Sequence, residues 1–204
     1  MAETPSPKSP IPSAETLYVQ TPSQTVGPFF HYALPYEAGP YLASERTEGE
    51  HITIEGRVTD GDGRPVDDAL IEIWQANAHG RYNHPEDDQD KPLDEDFGGF
   101  GRVPTDEQGM FRFYTVKPGA VPGLHNEMQA PHINICILAR GVLKRMATRL
   151  YFANEAEMNR VDPVLNLVPA ERRRTLIAES LEGSTVYRLD ISLQGENETV
   201  FFDI

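Results

Sequence analysis

From residue 51 the chain takes on a two-residue period of apolar and polar positions. Ile52, Ile54 and Val58 alternate with Thr53 and Glu55, which predicts a strand with one face buried. Asp60-Gly61-Asp62-Gly63-Arg64-Pro65 ends it as a strong turn. Ala69–Ala76 predicts a second strand. A third follows over Phe111–Val116, introduced by the hairpin-type turn Asp106-Glu107-Gln108-Gly109. His132–Arg140, rich in β-branched residues, is a fourth, and Thr148–Ala153, Val186–Leu193 and Thr199–Phe202 are further candidates. Gly98-Gly99-Phe100-Gly101 reads as a tight loop ahead of a strand-like run. Helix is scarce: Glu155–Arg160 has room for a turn or two, and Pro169–Glu179 carries proline at its start and acids in its first turn. Several short strands separated by turn signals predict an all-β fold, an antiparallel β-sandwich with short helices.

The chain ahead of residue 51 has no such period. Residues 1–17 lack an apolar pattern and read as a flexible N-terminal extension. Residues 18–50 form an irregular arm holding Pro22, Pro28, Pro35 and Pro40 among Phe29, Phe30, Tyr32, Tyr36 and Tyr41. Proline at that density precludes a regular helix, yet the segment is too apolar to stand in solvent. It lies against another surface, either its own sandwich or a partner chain, and the pattern alone leaves both open. The sandwich domain is then 51–204.

Charge narrows the partners. With 18 Lys+Arg against 32 Asp+Glu the chain carries −14, a field that repels nucleic acid and anionic membrane surfaces. A lone cysteine, Cys136, precludes an internal disulfide framework. No secretory leader and no long apolar run is present, so a cytoplasmic protein is expected. The acids of the Pro85–Phe97 stretch (Glu86, Asp87, Asp88, Asp90, Asp94, Glu95, Asp96) lack the central glycine and final glutamate of a calcium loop and read as a solvated acidic loop.

Motifs for serine hydrolysis, phosphate loops, zinc proteases and structural zinc are missing from the sequence. On the fourth strand His132, Asn134, Cys136 and Leu138 share a face. One imidazole and one amide are a poor transition-metal pair, so His132 reads as a hydrogen-bonded core histidine. Arg140, Lys144, Arg145 and Arg149 form a cationic run that is either a solvated loop or an anion site.

Several motifs in a fixed order add a resemblance. Ile73-Trp74-Gln75-Ala76-Asn77 with Gly80-Arg81-Tyr82 comes first. Phe97-Gly98-Gly99-Phe100-Gly101-Arg102, Thr115-Val116-Lys117-Pro118-Gly119, Ala130-Pro131-His132-Ile133-Asn134 and Thr148-Arg149-Leu150-Tyr151-Phe152 follow. Together they resemble the intradiol ring-cleavage dioxygenases, β-sandwich enzymes that open catechols with O2 at a ferric ion. The opening Thr21–Phe30 and the close Thr199–Asp203 are similar to the alpha chains of the family's two-chain enzymes.

The resemblance implies an iron site of two tyrosines and two histidines. Tyr82 and His132 keep two of those positions, whereas Val121 and Asn134 replace the others. Gln129 stands where the family's active chain has an arginine, and Arg149 where it has a glutamine. Metal binding by this chain is therefore not expected. Fe(III) is expected in a beta-chain partner, within a higher-order alpha–beta hetero-oligomer of aromatic catabolism (the beta-ketoadipate pathway) whose substrate is an aromatic acid. Thr25, Gly27, Pro28 and Phe29 are expected to line the beta-chain pocket, with Arg140 approaching the substrate carboxylate. Some relatives carry tyrosine at the position of Phe29. The competing readings are an autonomous dioxygenase with an unusual site, a transthyretin-like binding module, and a structural subunit with no part in the pocket.

Overall fold

The computed structural model describes Thr25, Gly27 and residues 29–123, 127–180 and 183–203. Strand β1 (His51–Thr59) buries every second residue, as its alternation requires. It pairs antiparallel with β4 (Met110–Val116), in register from His51↔Val116 to Arg57↔Met110. Its other edge runs parallel to β10 (Val186–Arg188) and β11 (Ile191–Ser192). Gly56 sits where a Cβ would lie 1.9 Å from the carbonyl oxygen of Leu189, so only glycine lets the two segments approach so closely.

The second layer is built on β2 (Leu70–Trp74), flanked by β3 (Phe100–Pro104) and β7 (His132–Leu138), with β8 (Met146–Phe152) beyond β7. Strand β9 (Ile177–Ser180) joins the layers, parallel to β8 and antiparallel to β10. The path is β11-β1-β10-β9-β8-β7-β2-β3, with β4 on the free edge of β1. A separate two-stranded ribbon pairs β5 (Val121–Pro122) with β6 (Met128–Gln129).

Ile52, Ile54, Phe111 and Phe113 from one layer meet Ile71, Ile73, Ile133, Ile135 and Ile137 from the other in one core. Each such side chain contributes about 1.5–3 kcal/mol on burial. Strand β8 is buried on both faces. Leu150 and Phe152 enter that core, while Tyr151 packs outward with Ala130, Leu165, Val168 and Leu176. This second cluster lies beneath the helix α2 (Ala156–Val161) and the 3-10 turns Leu165–Leu167 and Arg173–Leu176.

The all-β expectation holds, with parallel pairings of β9 to β8 and of β10 and β11 to β1. The helix expected over Pro169–Glu179 does not form. Its first half is turn and 3-10 structure, and Ile177–Ser180 is the strand that closes the gap between β8 and β10, burying Leu176 and Ala178. Tertiary pairing overrides local propensity there. Thr199–Phe202 is no strand either: Thr199 bonds Ser192 and Phe202 makes an isolated bridge to Ala147. The expected Val186–Leu193 strand is broken into β10 and β11. The glycine loop is real at Gly99 (φ 75°), but β3 begins within it, at Phe100.

In the arm, a single helical turn α1 (Phe30–Ala33) precedes a bridge of Tyr41 to Tyr114, and Leu42 is buried in the main core. Its aromatic groups divide sharply. Phe30 is buried, whereas Phe29 and Tyr32 are 75% and 77% exposed. The extension over residues 1–17 and Pro28 lie outside the described residues. Among the described residues no helix is long and apolar enough to cross a membrane.

Candidate functional site

The segment after β2 is fixed by two buried amides. Gln75 donates to the carbonyls of Ala76 and Val116 and accepts from the Thr115 hydroxyl. Asn77 Oδ1 accepts from the amides of His79 and Arg81 at 3.0 Å each, and its Nδ2 donates to the Pro92 carbonyl. Gly80 completes the turn at φ 77°, in a place where a Cβ would strike the Ala120 carbonyl oxygen. The chain is thereby turned so that Tyr82 stacks on Trp74, with ring centroids 5.8 Å apart and planes 14° from parallel.

The strand register sets the other positions. Trp74, Asn134 and Arg149 stand opposite one another on β2, β7 and β8. Val121, 3% exposed, faces Gln129 across the β5–β6 ribbon. His132, also 3% exposed, opens β7, and its Nδ1 lies 2.8 Å from the Ala130 carbonyl oxygen. The hydrogen-bonded core histidine expected from the sequence is what stands there.

Arg149 ties these residues together. Its Nη1 donates to Gln129 Oε1 at 2.7 Å and to the Tyr151 hydroxyl at 3.3 Å. Tyr151 in turn donates to Asp162 Oδ1 at 3.1 Å. The fully buried Asp162 also accepts from the backbone amides of Ala130, Val164 and Leu165. Sequence reading did not single out Asp162. Its only sequence signal is an acid followed by proline and an apolar run, which is common in loops.

Burial, and next to it the Arg149 guanidinium, push the His132 imidazole down to about 4, so the ring is neutral near neutral pH. Burial raises the Tyr82 phenol, opposed by the Arg149 charge and by a hydrogen bond from Asn134. Burial likewise raises Tyr151, again against Arg149. Both phenols are held neutral, and Tyr151 donates to Asp162.

This donor set does not fit a ferric ion. Among the four positions implied by the resemblance, Val121 offers no donor atom and Asn134 only an amide. A fixed guanidinium shares the space. The buried polar side-chain atoms without a partner among the described residues are His31 Nδ1, Asn159 Oδ1 and Arg172 Nε, none of which waits here for a metal. Nor do the four positions converge on one opening. A cavity of about 560 Å³ is lined by Trp74, Tyr82, Asp87, Val121 and Pro122. Another, of about 600 Å³, is lined by Trp74, Phe100, Asn134, Arg145 and Arg149. His132 lines neither.

The other expected pocket residues stand apart. Arg140 follows β7 on the surface, its Nε 2.9 Å from Asp68 Oδ2. Thr25, Gly27 and Phe29 lie on the arm and line neither cavity. The acidic loop is partly tied down, with Asp87 accepting from the Tyr82 amide and Asp96 pairing with Arg46.

A sequence model of the dioxygenase family matches residues 26–195, and the chain belongs to that family. Within it, the chain is 45% identical over 203 residues to the protocatechuate 3,4-dioxygenase alpha chain of Burkholderia cepacia, covering 93% of this chain and all of that one. The beta chain of the same enzyme from the same organism is 40% identical over 159 residues, covering 74% of this chain and 67% of its own. Among solved structures, the dioxygenase domain of a carbohydrate-binding fusion from Streptomyces sp. SirexAA-E superposes with a TM-score of 0.57 at 25% identity, over 86% of this chain and 98% of that one.

Proposed function

We propose that this chain is the alpha subunit of a protocatechuate 3,4-dioxygenase, in which a beta subunit carries the ferric ion and opens protocatechuate with O2 to 3-carboxy-cis,cis-muconate. The observation that carries the reading is the donor set. On a chain similar along its length to alpha chains, two of the four ligand positions are Val121 and Asn134, and a guanidinium stands beside them. Residues 51–204 form the sandwich, residues 18–50 the arm laid on the partner, and residues 1–17 an extension. The aromatic groups exposed along the arm (Phe29, Tyr32, Tyr36 and Tyr41) support a protein surface there.

In this reading, residues 25–29 close the beta-chain pocket and Arg140 meets the substrate carboxylate. A carboxylate taken out of water needs a paired cation, and guanidinium offers it two parallel donors. The Arg140–Asp68 pair is exposed on the arginine side, so releasing it costs about 1 kcal/mol or less. The deciding experiment is expression of the chain alone and with its candidate beta partner, followed by iron content and the visible tyrosinate-to-Fe(III) absorption. Colour, iron and ring cleavage confined to the co-purified complex are expected. A coloured, active lone chain would overturn the proposal. In the complex, Arg140→Ala should raise KM for protocatechuate more than for uncharged catechols, and equal effects would remove Arg140 from the pocket.

A further inference from the structure

We infer that the chain has a ligand site of its own, the cavity on the outer face of the β3–β2–β7–β8 layer, and that it takes a small aromatic carboxylate with no metal. The site is independent of the subunit role proposed above, since it needs neither iron nor a partner.

Strand register builds it. Phe100 stands opposite Trp74, Trp74 opposite Asn134, and Asn134 opposite Arg149, so one row across four strands runs from two aromatic rings through an amide to a cation. Phe202, bridged to Ala147, and Arg145, just ahead of β8, complete the walls. The enclosed volume of about 600 Å³ falls in the range of small-ligand sites, roughly 300–1,000 Å³. Of the four positions that the resemblance assigns to an iron, only Asn134 lines it; Tyr82, Val121 and His132 do not.

The charge is unbalanced in a telling way. Neither Arg145 nor Arg149 has a carboxylate within ion-pair distance among the described residues. The one carboxylate on the cavity wall, Glu72, is already committed to Arg102 at 2.5 Å. A chain of net charge −14 therefore leaves two cations facing an apolar, aromatic-walled opening. Arg149 is also held in place, because Gln129 and Tyr151 both accept from its Nη1. Its remaining N–H groups make no hydrogen bond among the described residues and are available to a carboxylate. A flat ring can lie against Trp74 and Phe100 while its acid meets the guanidinium.

Trp74 is the chain's sole tryptophan and lines the cavity, so its fluorescence reports occupancy. The full-length chain is titrated with benzoate, with its neutral analogue benzyl alcohol, and with sulfate, and calorimetry gives the stoichiometry. We expect a saturable change with one benzoate per chain, and benzyl alcohol and sulfate each weaker by about tenfold or more. Arg149→Gln should weaken benzoate by about tenfold, and Arg145→Gln by several-fold. Arg145 is exposed, so that variant decides the matter should Arg149→Gln not fold. The inference is overturned by an unsaturable response to benzoate, by benzyl alcohol or sulfate binding as well as benzoate, or by unaltered affinity in the folded arginine variants.

Discussion

Acidification should unfold this protein partly through His132. The imidazole is sealed beneath Tyr151, donates from Nδ1 to the Ala130 carbonyl when neutral, and has the Arg149 charge nearby. Burial first, and then that guanidinium, take it from an ordinary 6.5 to about 4. The unfolded chain therefore takes up a proton below 6.5, while the folded chain refuses it until about 4. In that window the unfolded state binds more protons, so stability falls as pH falls, and it levels off on either side. At 1.36 kcal/mol per tenfold proton ratio, the window amounts to about 3 kcal/mol. Urea unfolding of the native chain and of His132→Gln, followed from about pH 7 to about pH 4, isolates the effect, because the carboxylates titrate alike in both. The native chain should lose about 3 kcal/mol more than the variant over that range. Parallel curves, agreeing within about 0.5 kcal/mol, would refute a neutral buried His132.

Asp162→Ala strands three backbone amides and the Tyr151 hydroxyl in a buried setting and should cost about 3–5 kcal/mol in urea unfolding; a loss under about 1 kcal/mol would contradict the network. Burial, and then Glu72, raise the Cys136 thiol to about 11, so iodoacetamide should label it far more slowly than free cysteine at mildly alkaline pH, and a rate equal to free cysteine would count against this. Arg149→Gln removes the second cause of the His132 depression, so the imidazole resonances should titrate at higher pH than in the native chain. Val121→Tyr with Asn134→His and Arg149→Gln should gain Fe(III) and a visible tyrosinate band, whereas the first two changes without the third should gain less. Equal iron in both would show that Arg149 does not oppose the metal.

Strands whose two-residue period is written into the local sequence were legible in it. The burial of β1 follows Ile52, Ile54 and Val58, and β7 follows Ile133, Ile135 and Ile137. What escaped was set by distant pairing. Ile177–Ser180 carries proline and acids upstream that favour a helix, yet it is a strand because β8 and β10 each offer it an edge. The two-residue strands β5 and β6 are too short to show any period. At the site, Tyr82, Val121, His132 and Asn134 could be named in sequence only because the ordered motifs around them resemble a family. No spacing rule relates residues 82 and 121 to a pair on β7. Asp162 and the split into two cavities needed the folded chain.

The pair at residues 129 and 149 fixes a positive charge beside the positions that the resemblance assigns to a metal. By resemblance an arginine belongs at 129 and a glutamine at 149; here Gln129 and Arg149 hold the reverse and bond each other at 2.7 Å. A guanidinium and a carboxamide on β6 and β8 can trade places with the hydrogen bond retained, so the exchange keeps the local packing and moves only the charge. At 149 that charge stands opposite Asn134, in register across β7 and β8, and it opposes protonation of His132. It equally opposes any cation brought to the same space, since like charges in a partly buried setting repel with little screening. Val121 removes a phenol that would otherwise need a partner, and Asn134 donates from Nδ2 to the Trp74 carbonyl. Positive charge and hydrogen bonding at these positions thus come from within the chain, from Arg149 donating to Gln129 and Tyr151.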